Sequence, residues 1–331
     1  MRAQDIADFL SARLIGHPAR DITSAASLSA AGPSDLSFIE DEKYLDQATK
    51  GRAGAVLAGE FAAGGVPGLD STLIIVEAPR LAFARAAAFI ADAARTPTGI
   101  HATAVVDPSA QIGLNVSIGA HAVVGRHVRI GARTRIGPGC VLFDDVTLGD
   151  DCELIARVTI YSKTTVGHRV VIHAGAVLGS DGFGFVRDER SGAYHKFPQI
   201  GRLEVGDDVE IGANCTIDRG ALDATVIDAG AKLDNMVHVG HNVKIGRNVV
   251  IAAQTGIAGS SVLENDVVVA GQVGIADHVR IEEGAILGAQ CGVPSKKVIR
   301  GRGIVFWGTP ARPIRDYLKE LAALARLTKR R

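Results

Sequence analysis

Residues able to take part in group transfer recur at intervals of 18 along the chain. His241, Gly259 and Asp277 are each 18 positions apart, and His278 directly follows the last of them. A histidine has the ordinary pKa, about 6.5, needed to accept a proton near neutral pH. The backbone N–H of a glycine that a substrate can approach closely can stabilise an oxyanion. A fold that stacks residues 18 apart would place a base beside an oxyanion donor, which suits acyl transfer.

Other chemistry at these positions is less well supported by the sequence. A zinc site needs about three converging histidines, for which His238, His241 and His278 are the candidates. Strand alternation and corner direction place His238 and His241 on different outward surfaces, so we expect no metal. No GxSxG motif supports a serine nucleophile. His241 could also be a plain solvated residue, as His121 and other histidines at equivalent positions would be.

The elements that must position this column follow from a six-residue repeat. All thirteen positions from Val106 to Leu178 in steps of six carry Ile, Leu or Val, and a second series runs from Ile227 to Val293. A parallel β-helix explains this period, because three hexads form one triangular coil of about 18 residues and the coils stack at about 4.8 Å. A β-sandwich would instead show period two and uneven turns. Glycine often follows the aliphatic residue, as in Ile112-Gly113, where we expect a tight turn to need backbone freedom.

Two interruptions and two flanking regions complete the organisation. Extra residues over 180–203, rich in aromatics, predict a loop that leaves the coil, and four more enter between Ile217 and Ile227. Residues 1–100 lack hexads and predict a small α/β domain, in which Ile6, Phe9, Leu10 and Leu14 have helical spacing up to Gly16. The β-helix is expected over 101–305 and a C-terminal helix over 306–331.

Composition narrows the partners and the compartment. Lys plus Arg and Asp plus Glu number 36 each, so no net field attracts nucleic acid. The four cysteines form no CxxC pair, which argues against a zinc cluster or a disulfide framework. No apolar run is long enough to span a membrane, and the N-terminal residues lack a signal-peptide pattern. We therefore expect a cytoplasmic protein without a transmembrane segment.

Four segments carry a resemblance to a known family. They are Gly179–Phe185 (GSDGFGF), Pro198–Arg202 (PQIGR), Thr216–Asp223 (TIDRGALD) and Gly240–Val243 (GHNV). With the hexads, they resemble the hexapeptide-repeat acyltransferases, and most closely the UDP-3-O-(3-hydroxyacyl)glucosamine N-acyltransferases of lipid A synthesis. The resemblance implies a mainly β fold, a left-handed parallel β-helix between the small N-terminal α/β domain and a C-terminal helical tail.

The resemblance also implies roles for residues near the column. His241 would be the general base that removes a proton from the glucosamine 2-amine, and the N–H of Gly259 would hold the oxyanion. Asp234 resembles the carboxylate that orients the base, and His278 resembles the second histidine of the site. Asn242 is expected to contact substrate.

Further roles concern the substrates. Phe38 and Tyr44 are spaced like the aromatic pair that holds uracil, while Asp41 stands where the family often carries Asn, which puts the polar contact there in doubt. The donor would be an acyl-phosphopantetheine on acyl carrier protein, with no bound cofactor. A basic landing site for this acidic carrier is expected at Lys296, Lys297, Arg300, Arg302, Arg312 and Arg315.

The resemblance further implies a homotrimer with active sites between neighbouring chains, binding UDP-3-O-acylglucosamine as acceptor. Two other interpretations remain open on the sequence. One is a hexapeptide-repeat acyltransferase with another sugar-nucleotide acceptor. The other is a non-enzymatic structural β-helix whose corners only mediate assembly.

Overall fold

The computed structural model describes residues 1–93 and 99–328. The chain divides into two compact units, Met1–Thr96 and Pro97–Arg331, and each is described by itself. Within the described residues, no helix has the length and apolar character needed to cross a membrane.

The first unit is an α/β fold around one mixed sheet. Its strands are β1 (Arg13–Ile15), β2 (Ser24–Ala25), β3 (Asp35–Phe38), β4 (Ala55–Ala58) and β5 (Thr72–Ile75), in the order β1-β5-β4-β3-β2. The pair β1–β5 is antiparallel and the other pairs are parallel. The helices are α1 (Ala3–Phe9), α2 (Leu45–Lys50) and α3 (Pro79–Ala93), with 3₁₀ turns at Glu42–Tyr44 and Glu60–Ala62. Every residue of β4 and β5 is buried, so these strands form the centre of the core.

One helix of this unit is shorter than its spacing predicts. The pattern of Ile6, Phe9, Leu10 and Leu14 predicts a helix up to Gly16, but α1 ends at Phe9 and Leu14 lies in strand β1. Ser11 adopts a φ of 52°, a left-handed conformation that stops an α-helix. The apolar residues after it continue into the sheet instead.

The second unit is a left-handed parallel β-helix with three faces. Face 1 contains Gln111–Ile112, Arg129–Ile130, Thr147–Leu148, Thr164–Val166, Arg202–Val205, Ala224–Ile227, Lys244–Ile245, Val262–Leu263, Arg280–Ile281 and Val298–Ile299. Face 2 contains Ser117–Ile118, Arg135–Ile136, Glu153–Leu154, Val171–Ile172, Glu210–Ile211, Lys232–Leu233, Val250–Ile251, Val268–Val269, Ile286–Leu287, Val305–Trp307 and Arg312–Pro313. Face 3 contains Val105–Val106, Val123–Val124, Val141–Leu142, Thr159–Ile160, Val177–Ser180, Thr216–Asp218, His238–Val239, Gly256–Ile257, Gly274–Ile275 and Gly292–Val293.

The hexad aliphatics fill the interior of this helix. With few exceptions near its first coil, the aliphatic residue of each strand points inward and is buried in one continuous core. Removing a side chain of this size from water contributes about 1.5–3 kcal/mol. The predicted period therefore reports burial, and the fold it predicts is confirmed.

The predicted stacking of residues 18 apart is also confirmed. On face 3, His238 pairs in register with Gly256, Gly256 with Gly274, and Gly274 with Gly292. Thr216 pairs with His238, 22 residues on, so the extra residues between Ile217 and Ile227 lie within that one coil. The longer insertion contains an antiparallel hairpin of Phe185–Arg187 and Tyr194–Lys196.

The glycines after the aliphatic residues have a different purpose from the one predicted. Gly113 has no positive φ; the left-handed residue of that corner is Asn115, with a φ of 58°. A Cβ on Gly113 would lie 2.7 Å from the backbone nitrogen of Ala132 in the next coil. These glycines are therefore needed for the close approach of neighbouring coils.

The C-terminal segment begins its helix later than predicted. Val305–Trp307 and Arg312–Pro313 still add strands to face 2, and α4 spans Ile314–Thr328. Residues 329–331 of the predicted tail lie outside the described residues.

Replacing Gly137 with Ala tests the close approach of coils. The added Cβ would lie 1.7 Å from the backbone oxygen of Ile155, so we expect the free energy of unfolding to fall by about 3 kcal/mol or more. Urea unfolding measures the loss. Gly271→Ala is the matched control, because its nearest neighbour would be at an ordinary 3.4 Å. Equal stability of the two variants would contradict this account of the glycines.

Candidate functional site

A groove runs along face 3 where the outward side chains are missing. The first residue of each strand points outward, and on three successive coils it is Gly256, Gly274 and Gly292. No heavy atom lies within 4 Å of a Cβ built on Gly256 or Gly274. The resulting cavity has a volume of about 980 Å³ and extends from Asp218 and His238 to Thr309 and Pro310. A floor of bare backbone over several coils suits an extended, flexible and apolar chain.

His241 lies at the head of this groove with its ring orientation fixed. Its Nδ1 is 3.0 Å from Oδ1 of Asn242, and the same oxygen accepts a hydrogen bond from the backbone N–H of Ala221 at 2.9 Å. An amide oxygen can only accept, so the imidazole carries its hydrogen on Nδ1 and presents the lone pair on Nε2. Asn242 is itself held by Thr225 Oγ1, which accepts from its backbone N–H at 2.9 Å.

The imidazole of His241 lies directly against Gly259, as the spacing of 18 predicts. A Cβ on Gly259 would be 2.7 Å from both Cε1 and Nε2 of the ring. At equivalent corners the backbone N–H is capped by an Asp or Asn one coil on, as Asp144 caps Arg126 and Asn265 caps Arg247. The side chain corresponding to this cap for Gly259 belongs to Asp277.

Asp277 is turned away from that position. Its carboxylate accepts from Ser295 Oγ and lies 3.0 Å from Nδ1 of His278. Among the described residues no acceptor faces the N–H of Gly259. An uncapped N–H beside an imidazole nitrogen is the arrangement that stabilises negative charge developing on a carbonyl oxygen.

Asp218 is a residue of this site that sequence reasoning missed. It lines the groove although only 7% of its surface is exposed, and it accepts a hydrogen bond from Ser180 Oγ at 3.0 Å. Nε2 of His238 is 3.8 Å away. Burial raises the pKa of the Asp218 carboxyl, an effect that His238, Ser180 and His241 partly offset. The available signal was an aspartate after Ile217, where other hexads carry glycine.

Asp234 is not part of this groove, so the prediction that it orients His241 is wrong. Its carboxylate accepts from the backbone N–H groups of Asn235 at 2.7 Å and Ala253 at 3.2 Å. The seven residues between Asp234 and His241 span slightly more than one hexad, which puts Asp234 after a strand of face 2. Asn242 makes the contact expected of Asp234, and its predicted contact with substrate stays a prediction.

His238 and His241 line the same groove, contrary to the prediction that they face different surfaces. The ring of His238 reaches it from the face, with Nδ1 2.8 Å from Thr216 Oγ1. His278 lines the groove farther along. In the described portions of the chain, no three His, Cys, Asp or Glu residues form a group suited to a metal ion.

The loop over 180–203 closes over His241. A Cβ on Gly182 would lie 2.7 Å from Cβ of His241, so only glycine allows this contact. Arg219 secures the start of the loop by donating to the backbone oxygens of Gly179 at 2.7 Å and Ser162 at 3.2 Å. Asp181 is paired with Lys196 and lies 3.8 Å from Arg219. Phe183 extends from this loop to line the groove.

The residues predicted to hold uracil lie in the first unit. The ring of Phe38 is half-buried and packs on Phe83, with the ring centres 4.7 Å apart. Tyr44 is exposed, and Lys43 Nζ lies 5.2 Å from its ring centre. Asp41 caps the 3₁₀ turn by accepting from the backbone N–H of Lys43, a hydrogen bond that lowers the pKa of its carboxyl.

The predicted basic residues fall into two groups. Arg300, Arg302 and Arg312 are paired with Glu282, Glu283 and Glu320. Lys296, Lys297 and Arg315 are exposed, and no carboxylate in residues 1–93 or 99–328 pairs with them. The second group retains its full charge for a partner.

Comparison with known proteins follows this geometry. The family described as UDP-3-O-(3-hydroxymyristoyl) glucosamine N-acyltransferase, LpxD, matches residues 19–89, and the bacterial transferase hexapeptide family matches residues 224–259. A UDP-3-O-acylglucosamine N-acyltransferase of Bordetella pertussis (strain Tohama I) is 44% identical over 272 residues, covering 80% of this chain and 72% of the relative. The chain belongs to the UDP-3-O-acylglucosamine N-acyltransferase family. It is an acyltransferase.

Two further comparisons agree. The relative of the same name from Pseudomonas fluorescens (strain Pf0-1) is 45% identical, covering 77% of this chain and 71% of the relative. The crystal structure of LpxA, a UDP-N-acetylglucosamine acyltransferase from Bacteroides fragilis 9343, has a TM-score of 0.50 at 21% identity. It covers 64% of this chain and 72% of that chain. This last likeness is one of fold alone.

Asp218→Asn tests the burial of the carboxylate. Because the pKa is raised in the fold, the folded state holds more protons than the unfolded state above the ordinary value of 3.8, so stability falls as pH rises through this window. We expect the amide to stabilise the fold more at about pH 7 than at about pH 4. Urea unfolding at both values measures this, with Asp228→Asn at an exposed site as control. An equal effect at both values would refute the burial argument.

Proposed function

We propose that this protein transfers an (R)-3-hydroxyacyl chain from acyl carrier protein to the 2-amine of UDP-3-O-(3-hydroxyacyl)glucosamine, giving the diacylated sugar nucleotide of lipid A synthesis. The observation that carries the proposal is the imidazole of His241 against the uncapped N–H of Gly259 at the head of an apolar groove. The names of its relatives support the acceptor.

In the proposed reaction His241 acts as a general base. Nε2 takes a proton from the acceptor nitrogen as that nitrogen attacks the thioester carbonyl, and the N–H of Gly259 stabilises the resulting oxyanion by about 3 kcal/mol. When the C–S bond breaks, the imidazolium returns its proton to the departing thiolate. His278 contacts the substrate farther along the groove.

No covalent enzyme intermediate is needed. The four cysteines are buried free thiols, and burial raises their pKa values, that of Cys291 to about 11. A thiol in this state is a weak nucleophile. We propose direct transfer, with the donor's phosphopantetheine as part of a substrate and no bound cofactor. Free thiols also support a reducing, cytoplasmic location.

The two ends of the acceptor and donor have separate supports. In the first unit, the exposed ring of Tyr44 and the half-buried ring of Phe38 offer flat surfaces on which uracil can stack. Near the C-terminal end of the β-helix, Lys296, Lys297 and Arg315 provide unpaired positive charge for the acidic carrier.

We also propose a homotrimer. The loop over 180–203 exposes an unusually apolar surface that includes Phe183, Tyr194 and Ile200, with exposed fractions of 87%, 70% and 64%. A second exposed apolar surface follows the outer leucines of α4. Contiguous surfaces of this kind mark contacts between chains.

His241→Ala tests the base directly. We expect kcat to fall by about 10²–10⁴-fold with the fold unchanged, because the proton on the attacking nitrogen then has no positioned acceptor. Product is identified by mass spectrometry after UDP-3-O-acylglucosamine is offered with a set of acyl carrier thioesters. His127→Ala, an exposed corner histidine, is the matched control. Near-normal turnover in His241→Ala would remove it as the base.

The same assay separates the other functions. Transfer by the unmodified protein to a different amine or hydroxyl, with none to UDP-3-O-acylglucosamine, would favour another acceptor. The absence of transfer from any carrier-linked donor would favour the structural β-helix.

A double substitution, Lys296→Glu with Lys297→Glu, tests the landing site of the carrier. We expect kcat/KM for the carrier-bound donor to fall about 10–100-fold, with a weaker dependence on salt, because charge complementarity mainly speeds association. A donor on pantetheine alone should be unaffected. Lys244→Glu with Arg247→Glu, on another part of the β-helix, is the control. An equal loss with both donors would place these lysines outside carrier recognition.

A further inference from the structure

Asp218 differs from the other carboxylates of the second unit that have a clear structural role. Asp144, Asp151 and Asp208 each pair with an arginine at the surface. Asp181, the nearest other acid, is paired with Lys196 and lies close to Arg219. Asp218 is buried, and its described partners are the hydroxyl of Ser180 and, at 3.8 Å, the ring of His238. Within the described residues no lysine or arginine pairs with it.

A buried carboxylate without a fixed counter-charge is costly to the fold. An isolated ionised group loses several kcal/mol of hydration on burial unless a partner compensates it. The cost is concentrated at the head of the groove, where Asp218, His238 and His241 all line one cavity. A cationic ligand atom bound there would recover much of this energy through a charge-assisted hydrogen bond.

We propose that Asp218 binds the acceptor's amino group in its ammonium form and so makes this site select an amine over a hydroxyl. This inference rests on the proposed function and adds a residue that determines the class of acceptor. A hydroxyl in the same place donates one neutral hydrogen bond and leaves the carboxylate without a counter-charge. An ammonium group provides both the hydrogen bond and the charge.

The proton balance is consistent with the role of His241. The ammonium gives one proton to the Asp218 carboxylate, which leaves a neutral amine and a carboxylic acid in the buried site. The amine attacks the thioester carbonyl, a C–N bond forms, and His241 takes the second proton. The C–S bond then breaks, the thiolate leaves with the proton from His241, and Asp218 returns its own proton to solvent as product departs.

The test compares two acceptors that differ only at the 2-position, UDP-3-O-acylglucosamine and UDP-3-O-acylglucose. Titration calorimetry on the full-length protein, below the pKa of the sugar amine, should show the unmodified protein binding the amine at least about tenfold more tightly. Asp218→Asn should bind both sugars alike and keep its affinity for UDP. Asp228→Asn, which changes an exposed carboxylate, should retain the preference.

Equal binding of the two sugars by the unmodified protein would overturn the inference without any variant. A folded Asp218→Asn protein that keeps the preference would also overturn it. These results differ from a failure of the proposed function, in which the unmodified protein would neither bind UDP-3-O-acylglucosamine nor acylate it.

Discussion

The structure depends on the register between successive coils. Each short strand hydrogen-bonds to the strand 18 residues before it and 18 after it, except where the two insertions lie. At almost every corner one residue takes a left-handed conformation, at a cost of about 1–2 kcal/mol for residues other than glycine. Burial of an aliphatic side chain in each hexad offsets that cost. Because every coil repeats this balance, the backbone is straight and residues one coil apart have a fixed separation.

The candidate site consists of departures from the repeat. Three successive strands replace their outward side chain by glycine, which removes the surface and leaves a groove. Asp218 occupies a position where other hexads need glycine, and the loop that follows Leu178 folds back over His241. A rigid scaffold thus holds reacting groups without relying on flexible side chains, since a backbone N–H is a main element of the arrangement.

The sequence predicted the fold and the central contact of the site, because both depend only on counting residues. A period of six sets the faces, and 18 residues set the stack, so His241 and Gly259 come together without any knowledge of side-chain direction. The failures have a common cause. Asp234 was placed by its distance along the chain, although slightly more than one hexad moves a residue to another face. His238 was placed by alternation alone, although its long side chain reaches the groove from the strand.

The fixed coil length also limits how this chain can change. Removing 18 residues from the region beyond Gly259 would shorten the groove by one rung and leave every inward aliphatic residue in phase. Removing a single hexad would keep the core equally apolar but turn the rest of the prism by one third of a revolution. His278 would then lie on a different edge from His241. Hydrophobic pattern would be conserved while the active edge was lost, so lengths that are harmless to folding are not harmless to chemistry.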